Sequence, residues 1–188
     1  MRIDALLSFV PIGSPLSLVA GAGVDVRAPN IIDLLGLGVG VVAPSTASGN
    51  PIIGNVSTFG APDAGGVGGI RPELNITTGA AAVAGTGTPL LNVQLQAAAD
   101  DGTGNPSTWQ TLGESGDLTV AQLVADRVIA RLPWLPPFPE NLRPRFLSLN
   151  FAIPAGTAFS ALTIASALVT TVRDDWMNRQ AAKNFTVS

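Results

Sequence analysis

Apolar and polar positions alternate with a period of two through the most readable parts of the chain, as half-buried strands require. In residues 90–96, Leu91, Val93 and Leu95 fall on one side, and Asn92, Gln94 and Gln96 on the other. Residues 145–153 repeat the pattern with larger side chains, Leu147, Leu149, Phe151 and Ile153 opposing Ser148, Asn150 and Ala152. Burying those four apolar side chains contributes about 6–12 kcal/mol gross, at about 1.5–3 kcal/mol each. Shorter strands are predicted over residues 17–20, 30–34, 73–78, 108–112, 127–132 and 160–172, separated by Gly, Pro and Asp turns. About eight strands at this spacing predict an all-β sandwich.

One segment reads both ways. Val120, Leu123, Val124 and Val128 recur at helical spacing, and Thr119 followed by Gln122 is a capping-box signature. Arg127 and Arg131 would spoil a longer apolar face, so a short helix or turn over residues 120–125 is expected, feeding a strand. Two stretches look irregular: residues 36–69, with Asp63 as their single charge, and residues 79–89, a Gly/Ala/Thr loop. Ordering each residue costs about 1–2 kcal/mol of backbone entropy, which contacts with a neighbouring subunit would offset. The run Pro133, Trp134, Leu135, Pro136, Pro137, Phe138, Pro139 is an extended apolar segment. It is either a loop clamped on its own core or a docking surface. The layout expected is one domain over residues 1–188, with an N-terminal arm (1–15), a Gly-rich excursion (36–70) and a C-terminal tail (173–188).

Composition narrows the function. Apolar residues make up 46% of the 188 positions but charged residues only 12%, about half the roughly 25% of an average soluble chain. Partners covering much of the surface is the favoured explanation; solubility through Ser, Thr, Asn and Gln is the other. The chain has no Cys, His or Tyr. Disulfides, thiolate catalysis, Cys/His zinc sites, Ser-His-Asp triads and histidine acid–base chemistry are therefore excluded. A net charge of −3 argues against a general nucleic-acid binder. Every basic residue except Lys183 is Arg, the residue suited to fixed interface contacts. Residues 5–24 and 146–172 are uncharged and long enough to span a bilayer. Pro11, Gly13, Pro15, Gly21 and Gly23 in the first, and Asn150, Pro154 and Gly156 in the second, break any continuous apolar helix. Asp4 and Pro11 likewise argue against a signal peptide.

Candidate chemistry is sparse. The glycines at 36, 38 and 40 and the cluster at 65–69 lack the Gly-Lys-Ser/Thr ending of a phosphate loop. Gly113-Glu114-Ser115-Gly116 resembles a nucleophile elbow, but its second Gly is one place early and no His can act as base, so it reads as a turn. Asp100-Asp101-Gly102-Thr103-Gly104-Asn105 offers oxygens to Ca²⁺, yet it lacks EF-hand spacing and fits a hairpin turn better. Asp100 with Glu114 is a carboxylate pair without a spacing that favours glycoside hydrolysis. Trp109 could stack on a sugar, although a lone strand Trp more often belongs to a core or interface. With Gln94, Gln96 and the acidic turn it motivates an alternative function, a carbohydrate-binding sandwich for host-surface adhesion. The glycosylation-type triplets at Asn55, Asn75 and Asn184 fit chance. No catalytic, cofactor-binding or metal residue is assigned.

The order of segments carries a resemblance. It runs through Asn30-Ile31-Ile32-Asp33-Leu34, then Leu91 to Gln96 with its acidic turn, then Thr108-Trp109-Gln110-Thr111-Leu112. Leu118 to Leu123, the strand before Leu132-Pro133, Arg143-Pro144-Arg145-Phe146-Leu147-Ser148-Leu149 and Phe159 to Ile164 with Ala165 to Val169 complete it. This series resembles the jelly-roll capsid cement, or decoration, proteins of tailed bacteriophages. The opening 26 residues and the Arg173-Asp174-Asp175 tail look most like those of short-tailed phages of the Bordetella type. The resemblance implies a jelly-roll β-sandwich, a non-enzymatic structural protein without cofactors, and a place on the outer surface of the virion capsid. Its implied partners are the major capsid protein and a second copy in a homodimer, with no direct nucleic-acid or membrane contact. Candidate contacts to shell or subunit are Arg2, Asp4, Asp63, Arg71, Trp134, Phe138, Arg143, Arg173, Asp174, Asp175 and Trp176.

Overall fold

The computed structural model describes residues 3–33, 45–47, 50–54, 72–133 and 144–171. Within them the chain forms strands and no helix. In order the strands are β1 (Ile3–Val10), β2 (Leu16–Ser17), β3 (Val26–Arg27), β4 (Ile31–Asp33), β5 (Ser45–Ala47), β6 (Asn50–Gly54) and β7 (Pro72–Thr78). There follow β8 (Val83–Thr86), β9 (Leu90–Ala98), β10 (Gln110–Thr119), β11 (Val128–Pro133), β12 (Phe146–Ala152), β13 (Ala158–Ala161) and β14 (Thr163–Thr171).

One sheet has the order β1-β14-β7-β11, with β2 also on β14; the second has β10-β9-β12-β4-β6-β5, with β3 also on β12; β13 and β8 pair separately. All pairings are antiparallel except β4 with β6. Phe9, Leu74, Ile76, Ile164 and Val169 from the first sheet meet Leu91, Val93, Leu95, Leu147, Leu149 and Phe151 from the second in one apolar cluster. Two antiparallel sheets over a shared core make a β-sandwich, as the alternation predicts.

The strands with clean alternation stand where the pattern puts them. β12 pairs with β9 along its whole length, from Phe146 opposite Ala98 to Ala152 opposite Asn92. The predicted strand over 160–172 is two, broken at Leu162. The segment 113–116, read as a turn, lies instead inside β10, whose pairing with β9 slips between Thr111 and Gly113 and between Glu114 and Asp117. These bulges hide the period of two. Ser115 compensates for the second: its Oγ accepts from the Val93 N–H at 3.0 Å.

Further strands appear where none was predicted. β1 runs through the part read as an N-terminal arm, β5 and β6 lie in the Gly-rich excursion, and β8 lies in the loop over 79–89. Each of the four residues of β8 is exposed, so its sequence had no buried face to record. Residues 120–125 form a turn. The Gln122 side chain accepts from the Thr119 N–H and hydroxyl, both at 2.9 Å, and Leu123 is buried in the core. The capping chemistry closes one turn and stops there, because the chain must next place Val128 opposite Thr77 of β7.

The topology gathers the connections into two sets. β1 to β4, β7 to β9, β10 to β11 and β12 to β14 all cross between the sheets at one end, and carry β2, β3, β8 and β13. Backbone hydrogen bonds join these four connections: Leu18 to Leu162 at 3.0 Å, Gly23 to Thr157 at 2.9 Å, Gly79 to Thr163 at 2.8 Å and Ala82 to Leu123 at 2.9 Å. At the opposite end lie the start of β1, the end of β14 and the hairpin turn between β9 and β10.

Candidate functional site

Charge is organised at that opposite end. Asp33 closes β4 opposite Phe146 of β12, which brings Arg145 beside it. The Arg145 guanidinium takes Asp33 in a two-pronged grip, Nε to Oδ1 at 3.1 Å and Nη2 to Oδ2 at 3.0 Å. Its Nη1 reaches Asp100 of the hairpin turn, and the guanidinium lies 4.9 Å from the centre of the Phe146 ring. The hydrogen bonds to Asp33 raise the Arg145 pKa.

The acidic turn is built from its own side chains. Asp100 Oδ1 accepts from Gly104 N at 2.9 Å and Gly102 N at 2.8 Å, and these bonds hold its carboxyl below the usual carboxylate range. Asp101 Oδ1 accepts from the Thr103 hydroxyl and N–H, each at 2.7 Å, with the same effect on its pKa. Gly102 and Gly104 have φ of 90° and 89°. Local turn formation therefore engages the Oδ1 atom of each aspartate. No group of three or more potential metal ligands occurs among the described residues. Asp100 and Glu114 stand well apart, since Glu114 pairs with Gln94, six residues before Asp100 along the strand. At about 3.3 Å per residue that is roughly 20 Å, beyond the roughly 5–9.5 Å at which paired carboxylates cleave glycosides.

A second constellation covers the outer face of the larger sheet. The guanidinium of Arg27, on β3, lies 4.3 Å over the centre of the Trp109 ring and donates to Gln96 Oε1 at 2.9 Å. Gln96 donates to Gln94 at 3.1 Å, and Asn150 donates to Gln94 at 3.2 Å and to Asp25 at 2.9 Å. Trp109 packs on a small apolar cluster of Ile31, Ala98 and Phe146. Burial lowers the Arg27 pKa, with the nearby Asp25 charge opposing. Trp109 is thus half-buried, packed on that cluster with the Arg27 guanidinium over its ring. Gln94 and Gln96 are bonded within the same constellation.

The end where the four connections meet differs in character. Ile12, Val19, Val24, Val83, Val124 and Val128 are the exposed large apolar side chains among the described residues. The first five lie on these connections and Val128 opens β11 beside them. Residues 11–30, 79–89, 120–127 and 153–162 contain Asp25, Arg27, Asp126 and Arg127 and no other charge, a net of zero.

Of the contact residues expected from sequence, Arg2, Asp63, Arg71, Trp134, Phe138, Arg143, Arg173, Asp174, Asp175 and Trp176 lie outside the described residues. Asp4 lies in β1. The strand ends that flank these positions in sequence, Ile3, Gly54, Pro72, Pro133 and Thr171, all stand at the ion-paired end. Sequence reasoning missed the Asp33–Arg145–Asp100 cluster and the Arg27–Trp109 stack. Contacts between residues 82 and 112 positions apart leave no local spacing to read.

No protein-family model matches the chain, and no curated protein matches it. Among the described residues no helix is long and apolar enough to cross a membrane.

Proposed function

We propose that this chain is a structural virion protein, a cement or decoration protein that binds the outside of a tailed-phage capsid and stabilises its shell. The observation that carries the reading is strand order. β1-β14-β7-β11 lies against β4-β12-β9-β10, and two interleaved Greek keys in that order are the plan of a jelly roll. The sequence resemblance draws on segments that contribute to β4, β9, β10, β11, β12 and β14 in that succession.

Mechanism in this reading is additive and needs no catalytic group. Each copy buries on the order of 1,000 Å² or more against the shell, and many copies together resist internal pressure. A chain with 12% charged residues suits that task, because little charge must be desolvated when its surface is covered. The partners are the major capsid protein and a second copy of the chain, since two-fold pairing is the commonest closed assembly. The carbohydrate-binding alternative gains no support, with Arg27 over the Trp109 ring.

The test is sedimentation of gently lysed native source material on a sucrose gradient, with the chain located by mass spectrometry. Comigration with a DNA-filled particle, at a fixed ratio to a larger shell protein, is the expected result. Confinement to the soluble fractions would overturn the proposal.

A further inference from the structure

We infer that the open edge of β8 is where two copies of this chain pair, strand to antiparallel strand, about a two-fold axis. The inference rests on the self-association in the function proposed above and names its surface. Among the described residues β8 bonds to β13 and to no second strand, and all four of its residues are exposed. An edge strand presents a row of N–H and C=O groups to any passing chain, and proteins normally guard it by keeping it short or with Lys, Pro, a charge or a bulge that turns it away. β8 is short, four residues, but carries no Lys, Pro or charge: it reads Val83-Ala84-Gly85-Thr86, and the nearest charges in sequence are Glu73 and Asp100. The β8–β13 pairing does slip, but on the side already bonded.

The occupant follows from symmetry and charge. A strand pairs antiparallel with its own two-fold copy by offering the same edge twice. With the axis between Ala84 and Gly85, Val83 of one copy faces Thr86 of the other, and no like charges meet. The connections around β8 carry no net charge, so a partner recognised by charge finds no complement there. Ala82 donates to Leu123 O at 2.9 Å, which sets the turn bearing exposed Val124 alongside. Pairing also converts two short two-stranded sheets into one of four strands, and two strands alone are marginal in water.

The experiment is sedimentation velocity on the full chain and on two separate variants, Val83→Lys and Thr86→Lys, up to about 100 µM, a range that reaches weak dimers. Both positions are exposed, and far-UV circular dichroism checks that each variant folds. The wild type is expected to dimerise and each lysine to weaken the dimer by about tenfold or more, because its charge is set against an uncharged residue of the other copy, Thr86 facing position 83 and Val83 facing position 86, with no partner to offset its lost hydration. Folded variants that dimerise like the wild type would overturn the assignment while leaving self-association intact. A wild type that stays monomeric would overturn it too. If Val83→Lys then also fails to comigrate with particles that the wild type binds, the β8 edge faces the shell instead. Retained comigration by a monomeric Val83→Lys supports the inference and keeps it separate from shell binding.

Discussion

The two ends of the sandwich are held by different kinds of bond. Where the four connections meet, backbone bonds do the joining, Gly23 to Thr157, Gly79 to Thr163 and Ala82 to Leu123, together with mostly uncharged hydroxyls such as those of Thr78 and Thr163. At the other end charged side chains do it, through Arg145 gripping Asp33 and reaching Asp100. Backbone bonds demand close approach and specific φ angles but no charge, so one end can be neutral and studded with valines. Ion pairing demands carboxylates and a guanidinium, and makes the other end responsive to salt and acid. A surface meant to be covered fits the first plan better, because it presents less charge to desolvate.

The sharpest way to break this comparison is to place the same substitution at both ends. Gly23 has φ of 72°, and a Cβ there would stand 2.5 Å from Ala155 Cα. Gly102 has φ of 90°, with nothing within 4 Å of its Cβ position. Gly23→Ala is expected to cost about 2–4 kcal/mol and Gly102→Ala about 1 kcal/mol in urea unfolding. Equal costs would mean that the backbones do not approach as described.

Arg145→Met should destabilise by about 1–3 kcal/mol, since it takes the two-pronged partner from a nearly buried carboxylate. The loss should shrink in about 1 M salt, where screening is strong. Thr78→Val is the counterpart at the neutral end. The buried Thr78 hydroxyl donates to Val124 O and accepts from Arg127 N at 3.2 Å. Losing both should cost about 1–2 kcal/mol, unchanged by salt. A salt-dependent Thr78 effect would show that charge reaches that end after all.

The smallest effect is in acid. Asp100 and Asp101 have lowered pKa values in the folded chain, so their stabilising bonds are complete above the ordinary aspartate range and are lost as pH falls through the lowered values. The amide protons of Gly102, Gly104 and Thr103 should shift in NMR with midpoints below the ordinary aspartate value, while those of Gly23 and Ala82 stay still. Midpoints at or above the ordinary value would contradict the turn geometry.

Legibility in the sequence followed the same division between local and distant. β9 and β12 could be read because their residues alternate without a break. β10 could not, because two slips in register scramble its period. The turn at residues 100–105 was readable from Asp, Gly and Asn, whose side chains and φ angles act within four positions. For Trp109 a packing role could be read, but not the Arg27 that lies over its ring. The candidate contact residues were drawn from segments rich in charge, Trp and Pro, and they fall almost wholly outside the described residues.

By itself the sequence determined an all-β chain, the two strands at the heart of its core, a hairpin turn between β9 and β10, and a surface poor in charge. These are properties of neighbouring residues: side-chain alternation, turn chemistry and composition. Tertiary structure alone decided which four connections share an end, that Asp33 meets Arg145, and that β8 pairs with β13 and with no second strand among the described residues. Those outcomes depend on pairings between strands far apart in the chain, whose register is set by burying both inner faces at once.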